Sequence, residues 1–148
     1  MSSITDILET ADALEPLLTG LPDLEGIEVI VNRQKNLTNM IAQGVAKAGG
    51  AVVVIDAVRG TPIEERKLDM TTSYAISLWS NPVLRKADDV PASQRLVSIM
   101  KAIHNWQPSP KTHPLRKLVV EGWQITPDES FLIYTVQANL DETITPNS

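Results

Sequence analysis

His104 and His113 are the only histidines in the chain and there is no cysteine, so imidazole and thiolate chemistry have little to work with. A metal pair on a helix needs two ligands three or four residues apart on one face. The two histidines are nine apart, the second in the proline-bounded stretch "QPSPKTHP". Without thiolates there is no disulfide, no cysteine-ligated zinc and no cysteine nucleophile. "VVVIDA" resembles the apolar strand ending in an acid that holds magnesium in nucleotide hydrolases, but no glycine-rich loop closing on Lys-Ser or Lys-Thr accompanies Asp56. "AKAGGAV" offers two glycines ahead of a strand, whereas the dinucleotide fingerprint needs three between a strand and a helix. No serine sits in a glycine-flanked elbow. The carboxylate pairs Glu64–Glu65 and Asp88–Asp89 read as solvated loop charge, because neighbours in sequence do not by themselves converge on a substrate. These absences predict a chain with no catalytic residues, no metal and no cofactor.

Nucleic-acid recognition fares no better. "RQK", "ERK" and "LRK" are short basic clusters interrupted by acids, and aromatics make up 4% of residues. Stacking platforms need exposed rings beside a basic groove. Trp79, Trp106 and Trp123 each end an apolar pattern, which predicts core or rim packing.

The elements that would position any site follow from periodicity. Ile4, Ile7, Leu8, Ala11 and Leu14 share a helical face, so Ser3–Glu15 reads as a helix opened by Ser3 and Asp6 and ended or kinked by Pro16. "IEVIV", Ile27–Val31, is a short strand. Leu37, Met40, Ile41, Val45 and Ala48 stripe a second helix over Gln34–Ala48, stopped at Gly49–Gly50. "AVVVIDAV", Ala51–Val58, reads as a central strand buried on both faces, and "RGTPIEER", Arg59–Arg66, as a polar loop. "LDMTTSYAISLW", Leu68–Trp79, alternates over its whole length and is the best-specified strand. Pro91 to about Asn105 makes a third helix that buries Leu96, Ile99, Met100, Ile103 and Trp106 and turns Arg95, Ser98 and Lys101 outward. Arg116–Gln124 and Phe131–Leu140 flank a hairpin-like turn, "ITPDES", and residues 141–148 read as a frayed tail. The order specifies one α+β domain, residues 1–148: a mostly antiparallel sheet of about five strands with two to three helices packed against it.

The 148 residues, 43% hydrophobic and 21% charged, are those of an ordinary globular protein with net charge −5. No apolar run approaches the ~20 residues that span a bilayer, and the start lacks a basic signal-peptide region, so a soluble cytoplasmic product is expected. The charge is segregated. Residues 1–32 hold seven acids and no base, residues after Lys117 five acids and no base, and all thirteen bases lie between Arg33 and Lys117 among six acids. The ends therefore carry −12 and the middle +7. Either the ends fold against the middle, or an acidic surface of one copy meets a basic surface of the next.

An N-terminal helix before a strand, the long "LDMTTSYAISLW" strand, the helix "VPASQRLVSIMKAIHNW" and the returning hairpin "LRKLVVEGWQITPDESFLIYTVQANL" together resemble the tail terminator (tail completion) proteins of tailed bacteriophages, related to the lambda minor tail protein U. The likeness runs from about Ile4 to Leu140 and rests on element order and size. The helix over Gln34–Ala48 has no clear counterpart in it. The resemblance implies a structural virion protein without catalytic residues. Such a protein forms a homohexameric ring that caps the tail tube, stops its polymerisation and offers a surface to the head–tail connector, after assembly in the host cytoplasm. Its partners would be further copies of itself, the tail tube protein and the connector, with no sequence-specific nucleic acid and no membrane. Under that reading Arg59, Glu64, Glu65, Arg66 and Lys67 in one loop, with Arg85, Lys86, Asp88 and Asp89 in another, are the interface candidates. The alternatives are another head–tail joining protein, or a small cytoplasmic enzyme whose site draws on Asp56, Arg59, Asp69 and His104.

Overall fold

A computed structural model describes residues 2–4, 6–33, 36–47, 50–63, 68–84, 89–108 and 117–144. Strands β1 (Ser2–Ile4), β2 (Glu28–Val31), β3 (Ala51–Pro62), β4 (Asp69–Ser80), β5 (Val119–Asp128) and β6 (Phe131–Ile144) form one sheet, with helices α1 (Glu9–Thr19), α2 (Leu37–Lys47) and α3 (Ala92–Ile103). The architecture is α+β, as the periodicity implies. The pairs β3–β4, β4–β6 and β5–β6 are antiparallel, while β2–β3 and β1–β6 are parallel.

The sheet is ordered β2, β3, β4, β6, and both β5 and β1 lie along the far side of β6. β5 pairs with Phe131–Asn139 and β1 with Glu142–Ile144, so the two share one edge end to end. β2 forms the opposite edge.

Helices cover the two faces unequally. Ala11, Leu14 and Leu18 of α1 and Leu96, Ile99 and Ile103 of α3 pack on Val29, Val31, Val53, Ile55, Ile76, Leu78, Val136 and Ala138. Successive strand side chains point to opposite faces, so Ile30, Val52 and Val54 emerge on the other side, where Ile41 and Val45 of α2 cover them. This is why β3 reads as an unbroken apolar run: Ala51–Ile55 are buried throughout. Gly44 lets α2 lie this close, since a Cβ there would stand 2.9 Å from Val52 Cγ2. Gly50 turns the chain into β3 with φ at 89°, a conformation few side chains tolerate.

Several boundaries differ from the sequence reading. Ser2–Ile4 is a strand, and the helix begins at Glu9, because Asp6 Oδ1 accepts the Leu8 N–H at 2.8 Å and turns the chain there. Pro16 is carried inside α1. Arg59–Pro62 are not loop but continue β3 past a bulge between Ala57 and Arg59, opposite Ser73–Met70. The tail expected to fray over 141–148 is strand as far as Ile144, held between β4 and β1. The final turn narrows to Glu129–Ser130.

Arg95 and Ser98 face inward rather than out. Arg95 is buried with Nε donating to the Asp23 carbonyl at 3.1 Å, and Ser98 Oγ bonds the Asp23 carboxylate. Together with the Asp12–Arg33 ion pair, these contacts fold the acidic N-terminal third against the basic middle. Both ions of that pair are about half exposed, so it contributes under about 1 kcal/mol.

Candidate functional site

The enzyme reading needs Asp56, Arg59, Asp69 and His104 to converge, and they do not. Asp56, half-buried on β3, accepts from the Asn32 side-chain amide. Asp69, buried at the start of β4, accepts from Thr143 Oγ1 at 2.7 Å. His104, at the end of α3, is exposed and its Nδ1 accepts the Val120 N–H at 3.2 Å. Each polar group ties two neighbouring segments together. Among the described residues no three His, Cys, Asp or Glu are grouped to hold a metal ion, and no helix is long and apolar enough to cross a membrane.

The interface candidates meet a different limit. Arg59 is exposed on β3 just after the bulge, and Asp89 is half-buried ahead of α3. Glu64, Glu65, Arg66, Lys67, Arg85, Lys86 and Asp88 lie outside the described residues, as does His113.

A buried polar knot that the sequence analysis missed lies beneath the start of α1. Tyr74 on β4 and Glu142 on β6 point to the same face of the sheet. The Tyr74 hydroxyl lies 2.8 and 2.9 Å from the two Glu142 carboxylate oxygens, and Thr10 of α1 donates to the same carboxylate. All three residues are at most 1% exposed. Burial first, and then the charge of Glu142, pushes the Tyr74 hydroxyl well above the usual phenol range. The signal was available: Leu140, Glu142 and Ile144 continue the alternation of β6 through residues that read as tail.

On the opposite face, between β4 and β6, polar side chains pair in register. Thr71 Oγ1 donates to Asp141 at 2.7 Å, Ser73 Oγ to Asn139 at 2.9 Å, and Ser77 meets Thr135 at 3.2 Å. No buried side-chain nitrogen or oxygen among the described residues lacks a partner.

The uncovered surface includes the far half of the β5–β6 hairpin and two open clefts beside the β3 bulge. From Trp123 to Asp128 every β5 residue is exposed, with Trp123 at 59% and Ile125 at 47%. Of the described strands only β6 pairs with β5, so the outer N–H and C=O row of β5 has no strand beside it. One cleft, of 180 Å³, is bounded by Ile7, Val58, Gly60, Met70 and Ile144, with Arg59 at its side. The other lies on the polar face among Arg59, Ser73, Glu121, Gln137 and Asn139. Both clefts are open to solvent, and the second, of 430 Å³, has Arg59 and Glu121 among its lining residues.

Trp79 is half-buried, edge-to-face with Phe131 at a centroid distance of 5.5 Å, and Trp106 packs on the main core. Trp123 departs from the rim packing expected of it.

No family model matches the chain, and no curated protein matches it. Among solved structures, a crystal structure from Akkermansia muciniphila aligns with 97% of this chain and 82% of its own, at 12% identity and a TM-score of 0.39. That likeness carries no argument about function.

Proposed function

We propose that this protein is a structural subunit of a phage tail, a tail terminator that closes as a homohexameric ring on the finished tube. In that position it stops polymerisation and presents a surface to the head–tail connector. The observation that carries the reading is the bare β5–β6 hairpin. A ten-residue edge strand with unpaired backbone groups and exposed Trp123 and Ile125 is a liability in a protein that stays alone. It is an asset in one that must join copies or partners. The buried polar groups among the described residues support the same reading, since each has a partner within the fold.

The role asks for no catalysis, and its chemistry is that of docking. A ring of identical subunits repeats one heterologous contact until it closes, which needs a rigid sheet with unlike surfaces at its two ends. The sheet here has β2 at one edge and β5 with β1 at the other. An acidic balance of −5 also suits a ring through which DNA passes without adhering.

Electron microscopy of tail tubes incubated with the chain tests the proposal. Six-fold caps at tube ends are the expected result. Tubes left bare, with assembly-competent tube protein present, would refute it, and caps seen only on portals or connectors would move the chain to another head–tail joining role.

A further inference from the structure

We infer that the polar cleft beside the β3 bulge binds a small zwitterion of the α-amino-acid class, Arg59 taking the carboxylate and Glu121 the ammonium. The inference goes beyond the terminator reading and does not rest on it. Two β-bulges and a set of unengaged polar groups carry it.

On β3 the pairing shifts between Ala57 and Arg59, so Val58 is the extra residue and Arg59 lands opposite Ser73. On β5 it shifts between Val120 and Gly122, so Glu121 is the extra residue. A bulge bends its strand and re-aims the side chains around it. These two bulges stand on the strands that flank β4 and β6, and Arg59 and Glu121 line the same 430 Å³ cleft. Ser73, Gln137 and Asn139, on β4 and β6, line it between them. β3 and β5 are three strand spacings apart, about 14 Å at about 4.8 Å each. Two long side chains shorten that span from either end to the dimensions of a small dipolar molecule.

Other polar groups on this face are already engaged. Asp56 and Asp141, in the rows on either side, accept from Asn32 and Thr71. Ser73 Oγ donates to Asn139 Oδ1 at 2.9 Å, which leaves the N–H donors of that amide over. The side chains of Arg59, Glu121 and Gln137 make no hydrogen bond or ion pair among the described residues. A guanidinium, a carboxylate and two amides therefore line one cleft without satisfying one another.

The ligand class follows from these groups. A guanidinium holds a carboxylate through two parallel N–H donors, and the Gln137 and Asn139 amides add donors beside it. The Glu121 carboxylate accepts from an ammonium, which carries three donors. A ligand with one charge leaves Arg59 or Glu121 unmatched, whereas a zwitterion matches both. Val58, exposed among the lining residues, offers apolar contact to the ligand's substituent. Both charged residues are exposed, so binding is weak and salt-sensitive.

Amide chemical shifts of the isotope-labelled full chain, followed as each standard amino acid is added, test the assignment. At least one amino acid should shift the Arg59, Ser73, Glu121 and Gln137 amides saturably, and added salt should weaken it. The same amino acid stripped of its ammonium or of its carboxylate (for leucine, isocaproate and isoamylamine) should bind about tenfold more weakly or worse. Arg59→Gln and Glu121→Gln should each lower affinity for the amino acid about tenfold or more. Arg59→Gln should leave binding of the amine unchanged, and Glu121→Gln that of the carboxylate. A merely structural role for either residue would move all three probes together and so contradict the assignment. No saturable shift at the highest soluble concentration of any amino acid, or equal binding of a one-charge probe, would overturn the inference. Stronger shifts of the same amides by inorganic phosphate or by glucose would overturn it as well.

Discussion

Tyr74, Thr10 and Glu142 pin α1 to the middle and the end of the sheet at once. Glu142 lies two residues before the end of β6, Tyr74 on the central strand and Thr10 on the helix above. Removing the phenol hydroxyl leaves a buried carboxylate with fewer donors. Tyr74→Phe should therefore lower the unfolding free energy by about 1–3 kcal/mol in urea titrations. The raised hydroxyl also fixes a pH dependence. With the folded value above the unfolded one, both states keep the proton below about pH 10, and above it the unfolded state loses the proton first. The Tyr74 contribution is thus fully present below pH 10 and is lost as pH rises further. Urea midpoints should fall as pH rises above about 10, and Tyr74→Phe should flatten that fall. A variant with an unchanged alkaline slope would show that Tyr74 ionises freely.

Helix and strand patterns carry most of the architecture, and their failures have physical causes. β4 and β6 are legible because one face is covered by α1 and α3 while the other bears Ser, Thr and Asn, which makes the alternation regular. α2 and α3 follow from their apolar stripes. β1 was illegible because its three residues fall within the helical spacing of Ile4, Ile7, Leu8 and Ala11, and because its partner is about 140 residues away. Arg59–Pro62 looked like loop because Gly and Pro stand where β3 runs out past the helices and one face needs no apolar residue. Gly44 illustrates how contact overrides propensity. On propensity alone Gly44→Ala would gain about 1 kcal/mol in a helix interior, but the new Cβ would meet Val52 Cγ2 at 2.9 Å and Glu28 Oε2 at 3.1 Å. The substitution should lower the thermal midpoint, and a rise would mean that α2 floats free of the sheet. Trp123→Ala, by contrast, should leave the stability of the dilute chain within about 0.5 kcal/mol, since the ring touches solvent.

At the scale of the whole molecule the candidate site was less legible than the fold. Sequence singled out charged loops, and of the nine residues named only Arg59 and Asp89 fall where side-chain placement is described. The surface that the structure exposes instead is apolar and lies on a strand. No letter distinguishes a tryptophan under a helix from one beyond the reach of α3; only the packing of the far half of β5 against nothing does. The account therefore stands on that hairpin being an interface in waiting. Hydrogen exchange on the chain alone and bound to tail tubes addresses this most directly. The outer β5 amides beyond Val120, as far as Asp128, should exchange rapidly in the dilute chain and become strongly protected on the tube. Tube-bound chain in which those amides exchange as fast as before, with protection gained only elsewhere, would contradict the account.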